Sequence, residues 1–115
     1  MEGISLLMQD SLIPPVPGIK VFTGSKHTRE NQYLLVNPES ETNRIVIASD
    51  AIWFYFNLDN LLPIPTYTFD PDAYVEAMKR MKTMVTNPDY LIPGHDDLVF
   101  SRFPELCRGV VKIGN

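Results

Sequence analysis

Apolar and polar positions along the chain change period several times, and each change marks an element. "IKVF" (19–22) alternates and predicts a half-buried strand. "TGSKHTREN" (23–31) is a polar loop, "QYLLV" (32–36) a second strand and "NPESETN" (37–43) the turn after it. "RIVIAS" (44–49) is almost continuously apolar, which predicts a third strand buried on both faces. Three strands with short links predict an antiparallel meander. Residues 58–69 are punctuated by proline and read as a loop. The period then becomes helical over 71–86. Tyr74, Ala77, Met78, Met81, Met84 and Val85 form one apolar face, and Lys79, Arg80 and Lys82 fall mainly on the other. Asp70 is placed to cap, Pro71 takes the first helical position, and Asp72 meets the positive end of the dipole. "NP" at 87–88 ends the helix. "YLI" (90–92) is a short strand, "PGHDD" (93–97) the loop at its end, and a helical turn is expected around 104–110. The segment 70–92 is therefore a helix and a strand packed on the earlier meander.

Composition narrows the class. The chain has 115 residues, the size of one domain, so 1–115 is read as a single unit with an irregular leader over 1–18, where "IPPVPG" is stiff and turn-rich. Hydrophobic residues make up 44% and charged residues 21%, enough for a core. A net charge of −4 without a basic run argues against nucleic acid as a partner. No apolar stretch approaches the ~20 residues of a membrane span. "MEGISLLMQDS" does not read as a signal peptide. The single cysteine, Cys107, excludes an internal disulfide and fits a reducing compartment, hence a cytoplasmic location.

Chemistry concentrates at strand ends. The two histidines, His27 and His95, lie in polar loops beside predicted strands, and Asp50 ends a third. Three such ligands at strand ends suit a metal site, because strand ends hold side chains rigidly and leave one side open. The plainer reading is two solvated loop histidines and a turn-forming aspartate. Asp96 and Asp97 could orient the His95 ring or be solvated acids. Trp53, Phe54, Tyr55 and Phe56 could wall an apolar pocket or be ordinary packing. The Met78, Met81 and Met84 stripe is core, and Cys107 is structural. There is no phosphate-binding glycine loop, nucleophile elbow or C-x-x-C.

"KHTRENQYLLV", "IASDA" and "LIPGHD", in this order, resemble the C-terminal half of a metallo-β-lactamase-fold hydrolase of the N-acyl homoserine lactonase-like branch. His27, Thr28 and Gln32 match that family's first histidine loop, while Lys26, Arg29 and Glu30 replace its flanking Gly, Pro and Gly. "FDPDAYVEAMKRMK" and "FPE" are also similar to the family's segments. The resemblance implies a half of an αββα sandwich, an α/β (α+β layered) fold with a mainly antiparallel sheet and one long helix packed on it. It implies that His27 ligates a first metal, that Asp50 bridges two, and that His95 ligates the second. The ions would be zinc, two in the complete fold and weakly held or absent in this chain alone. Trp53 or Tyr55 would stand where the family has a carbonyl-assisting tyrosine, and Trp53 and Phe54 would contact substrate.

The family's H-x-H-x-D-H motif is absent. Three readings follow. The chain is a fragment or truncated product of an ester or lactone hydrolase; it is a non-catalytic half-fold that dimerises or binds a partner chain; or it is a half-enzyme completed by a complementary N-terminal half. Each leaves an apolar sheet face to be covered, expected around Phe22, Leu34 and Val46, by a second copy, by the complementary half, or by residues 1–18 as a lid.

Overall fold

The computed structural model describes residues 17–23, 32–64 and 70–115. Four strands form one sheet in the order β1 (Ile19–Thr23), β2 (Gln32–Val36), β3 (Ile45–Ile47), β4 (Leu91–Ile92). The first three make the expected antiparallel meander, with Phe22 opposite Tyr33 and Leu35 opposite Val46. β4 instead runs parallel to β3, with Val46 beside Leu91. A parallel neighbour needs a crossover. Among its described residues the crossover carries two α-helices, α1 (Tyr55–Asn60) and α2 (Pro71–Met84).

The pleat separates two faces. Phe22, Tyr33, Leu35, Val46 and Leu91 share one face by register. Tyr33, Leu35, Val46 and Leu91 enter a core cluster with Tyr74, Ala77, Met78 and Met81 of α2, and Phe22 packs against it. Helix α2 is set up locally as its sequence predicts: Asp70 Oδ1 accepts from the Ala73 backbone N–H at 3.1 Å, and Pro71 opens the helix. The opposite face carries Ile19, Val21, Leu34, Val36, Ile45, Ile47 and Ile92. Of the three residues expected on an uncovered face, only Leu34 belongs to it. The alternation of the pleat turns Phe22 and Val46 toward the helix.

Several boundaries shift for local reasons. The third strand stops at Ile47, because a 3₁₀ turn over Ser49–Ala51 begins with Ser49 at φ +54°. Helix α2 ends at Met84, short of residue 86. The Arg44 backbone exchanges bonds with Thr86, and Arg44 Nε donates to the Met84 carbonyl at 2.9 Å, which draws residues 85–86 out of the helix. A 3₁₀ turn over Pro88–Tyr90 precedes β4. Helix α1 occupies part of the stretch expected to be a loop. The helical turn expected around 104–110 is a hairpin instead, β5 (Glu105–Cys107) and β6 (Val110–Val111), turning at Gly109 with φ +80°. The short helix near it is α3 (Val99–Arg102).

Candidate metal centre

The parallel pairing positions the site. Asp50 lies just beyond the C-terminal end of β3, and His95 just beyond that of β4. Two adjacent parallel strands deliver their ends to one edge of the sheet, so the two side chains meet there. His95 Nε2 and Asp50 Oδ1 are 2.7 Å apart, with the two side chains about half exposed at 50% and 46%. This is a short imidazole–carboxylate contact open to solvent on one side.

The loops that carry the pair are laced together. Ala48 N–H donates to the Ile92 carbonyl at 2.9 Å, Gly94 N–H to Ile52 at 2.8 Å, and His95 N–H to Trp53 at 3.0 Å. The ladder thus continues on both sides of Asp50. Gly94 is required here by proximity: a β-carbon on it would fall 2.7 Å from the Ser49 carbonyl carbon and closer still to its oxygen. Ser49 itself is left-handed, a conformation that costs a non-glycine residue about 1 kcal/mol. Strain and close packing therefore sit immediately before each member of the pair.

Trp53 flanks the pair, its ring centroid 4.9 Å from that of His95. Phe54, also expected to touch substrate, packs edge-on to Trp53 and is 42% exposed. Asp96 takes a different role from the expected orientation of the His95 ring. Its Oδ2 accepts from Tyr55 N–H at 3.0 Å, the first residue of α1, and its Oδ1 accepts from Leu98 N–H at 2.9 Å. Asp96 ties the histidine loop to two helices, while Asp50 takes the ring. Tyr55, considered for a place at a substrate carbonyl, is 3% exposed under the Arg102 guanidinium, and it lines a cavity to which neither Asp50 nor His95 contributes.

One further residue reaches the site from the core face of α2. Tyr74, fully buried on α2, donates its hydroxyl to the Asp50 carbonyl at 3.4 Å. The available signal was a phenol on a methionine-lined face, since a buried tyrosine hydroxyl needs a partner. Burial, and secondarily the Asp50 charge, push the Tyr74 pKa above the usual tyrosine range. Burial likewise raises Tyr33 and Tyr55, against the lowering effect of Arg80 and Arg102 respectively. A raised folded pKa means that the folded chain keeps protons the unfolded chain loses. The stability is fully present below pH ~10, the unfolded tyrosine value, and falls as pH rises toward the folded values. Each such tyrosine contributes a slope of up to about 1.4 kcal/mol per pH unit. Urea midpoints measured from pH 8 to 11.5 should fall steeply above pH 10, and Tyr74→Phe should flatten that fall.

His27 lies outside the described residues. The residues that flank its loop, Thr23 and Gln32, are opposite each other at the end of the β1–β2 pair that adjoins the C-terminal end of β3. Among the described residues, no group of three or more His, Cys, Asp or Glu is placed to hold a metal ion. Asp50 and His95 are of the donor types zinc takes and converge, but a catalytic zinc needs three protein ligands. Among the described residues the pair is thus one donor short of that set.

No protein-family model matches the chain, and no curated sequence relative matches it. Solved structures do. An N-acyl homoserine lactone hydrolase with the product N-hexanoyl-L-homoserine at its catalytic metal center aligns with a TM-score of 0.60 and 24% identity, over 81% of this chain and 38% of that one. A single-site variant of AiiA from B. thuringiensis, with N-decanoyl-L-homoserine in its active site, gives 0.61 and 25% over the same shares. A quorum-quenching N-acyl homoserine lactone hydrolase gives 0.58 and 24%, over 84% of this chain and 37% of that one. The chain has half of a metallo-β-lactamase fold. It spans less than two fifths of the length of each of these lactonases. Among the described residues, no helix is long and apolar enough to cross a membrane.

Proposed function

We propose that the chain is the C-terminal half of an ester or lactone hydrolase and carries part of its metal site, with Asp50 and His95 as ligands and His27 as a third. The observation that carries this reading is the 2.7 Å approach of His95 Nε2 to Asp50 Oδ1 at the shared edge of β3 and β4. The ions would be zinc. When bound, they supply a water of lowered pKa and polarise the substrate carbonyl. This chain's own residues do the rest. Gly94 and Ser49 fix the spacing of the pair, Trp53 shields one side of the His95 ring, and Tyr74 holds the Asp50 backbone. Were a metal held there, His95 would meet it through an unprotonated ring nitrogen, and Asp50 through its carboxylate. The remaining ligands come from a complementary N-terminal half seated on the aliphatic face of the sheet.

That aliphatic face also supports a second reading, a non-catalytic half-fold that pairs with a second copy of itself. Turnover separates the two. Co-expression with the N-terminal half of a homoserine lactonase should give a complex that opens simple lactones. His95→Ala should cut the rate by more than the ~10–100-fold that loss of a mere supporting group costs at a metal site. A folded complex without lactone or ester turnover would sink the hydrolase reading.

A further inference from the structure

A cavity of about 400 Å³ lies between α1, the end of α2 and α3, with neither Asp50 nor His95 in its lining. Its volume is that of a small-molecule site. Tyr55, Leu58, Val85 and Leu91 give it an apolar wall. Four exposed charged residues also line it: Arg102 and Lys82, Asp59 and Asp89.

Two details mark this as more than a surface dimple. The Arg102 guanidinium carbon lies over the Tyr55 ring, 3.6 Å from its centroid, a cation–π contact that favours one placement of the side chain. Neither Arg102 nor Lys82 belongs to an ion pair among the described residues. The Tyr55 hydroxyl is buried with no hydrogen-bond partner among the described residues, a condition that costs a fold about 1–3 kcal/mol. A guanidinium held over an aromatic ring and a wall of aliphatic carbon occur together in one cavity.

The charges select the ligand class. Two cations and two carboxylates balance. A simple anion meets Asp59 and Asp89, a simple cation meets Arg102 and Lys82, and a polyphosphate is repelled by the acids. A molecule carrying both charges, with an apolar body, satisfies all four. We propose that this cavity binds a zwitterionic, amino-acid-like small molecule with an aliphatic side chain. Its carboxylate sits on Arg102 and Lys82, its ammonium group faces Asp59 and Asp89, and its side chain lies against Leu58, Val85 and Leu91. The proposal is independent of the hydrolase reading.

The test is an NMR titration of the purified chain with L-leucine, 4-methylpentanoate and 3-methylbutylamine, which share one carbon body and differ in charge. The expected result is saturable shifts at Leu58, Val85 and Leu91 with leucine, and binding of the other two weaker by about tenfold or more. Arg102→Gln should weaken leucine binding by a similar factor with an unchanged circular dichroism spectrum. Should that variant not fold, the three probes on the unaltered chain decide alone. Absence of saturable shifts below about 10 mM leucine, equal affinity for the singly charged analogues, or a folded Arg102→Gln variant that binds leucine as before would each overturn the proposal.

Discussion

Gly94→Ala is expected to destabilise the chain by about 1–3 kcal/mol and to separate His95 from Asp50. The added methyl group would overlap the Ser49 backbone, and backbone cannot move aside as a flexible side chain does. Relief requires the loop after β4 to retreat from the turn after β3, which breaks the Gly94–Ile52 and His95–Trp53 hydrogen bonds that lace them. A contrast within the chain isolates the cause. Gly109 has φ +80° but open space around its α-carbon, so Gly109→Ala carries only the backbone cost of about 1 kcal/mol and leaves the pair untouched. Denaturation midpoints rank the two variants, and the His95 ring signals report the pair. An unshifted His95 ring in Gly94→Ala would show that the close approach does not hold the site.

The second large effect concerns the sheet face that α2 does not cover. Ile19, Val21, Leu34, Val36, Ile45, Ile47 and Ile92 line it without a charged residue; Ile45 and Ile92 are already buried and the other five are half-buried. Soluble monomers rarely expose contiguous apolar patches beyond a few hundred Å². Leaving at most ~300 Å² of such a surface wet would forgo on the order of 7 kcal/mol at about 25 cal/mol per Å², a large share of a domain's net stability. In the absence of a complementary half, a second copy is the nearest cover. Light scattering at micromolar concentration should report about twice 13.1 kDa. Ile47→Glu should shift the population toward monomer. A single 13.1 kDa species that unfolds cooperatively would contradict pairing and favour residues 1–18 as a lid.

How much of this was legible in the sequence depends on how far apart the interacting residues lie. Helix α2 was readable because its signals are local: Asp70 caps Ala73 three residues on, and the methionine stripe repeats within the element. The meander was readable from period two and short links. Helix α1 was not, because the side chain that receives its first N–H belongs to Asp96, forty-one residues away. The hairpin of β5 and β6 was hidden because Leu106 and Val110 are exposed, so their spacing carries no burial pattern. At the site, Asp50 and His95 stood out as chemistry at strand ends. Their meeting depends on the parallel pairing of β3 and β4, which no local pattern states. Tyr74 was absorbed into a helix face whose periodicity it satisfies while also reaching Asp50.

A zinc titration followed through the His95 imidazole and the Asp50 amide tests the central claim most directly. If the pair is part of a metal site, zinc moves both signals together. The affinity of the chain alone falls well short of a complete structural site, because two or three donors replace four. Asp50→Ala or His95→Ala abolishes the response. Zinc that saturates while leaving both signals unmoved, or that binds the two variants as well as the parent chain, would contradict the account.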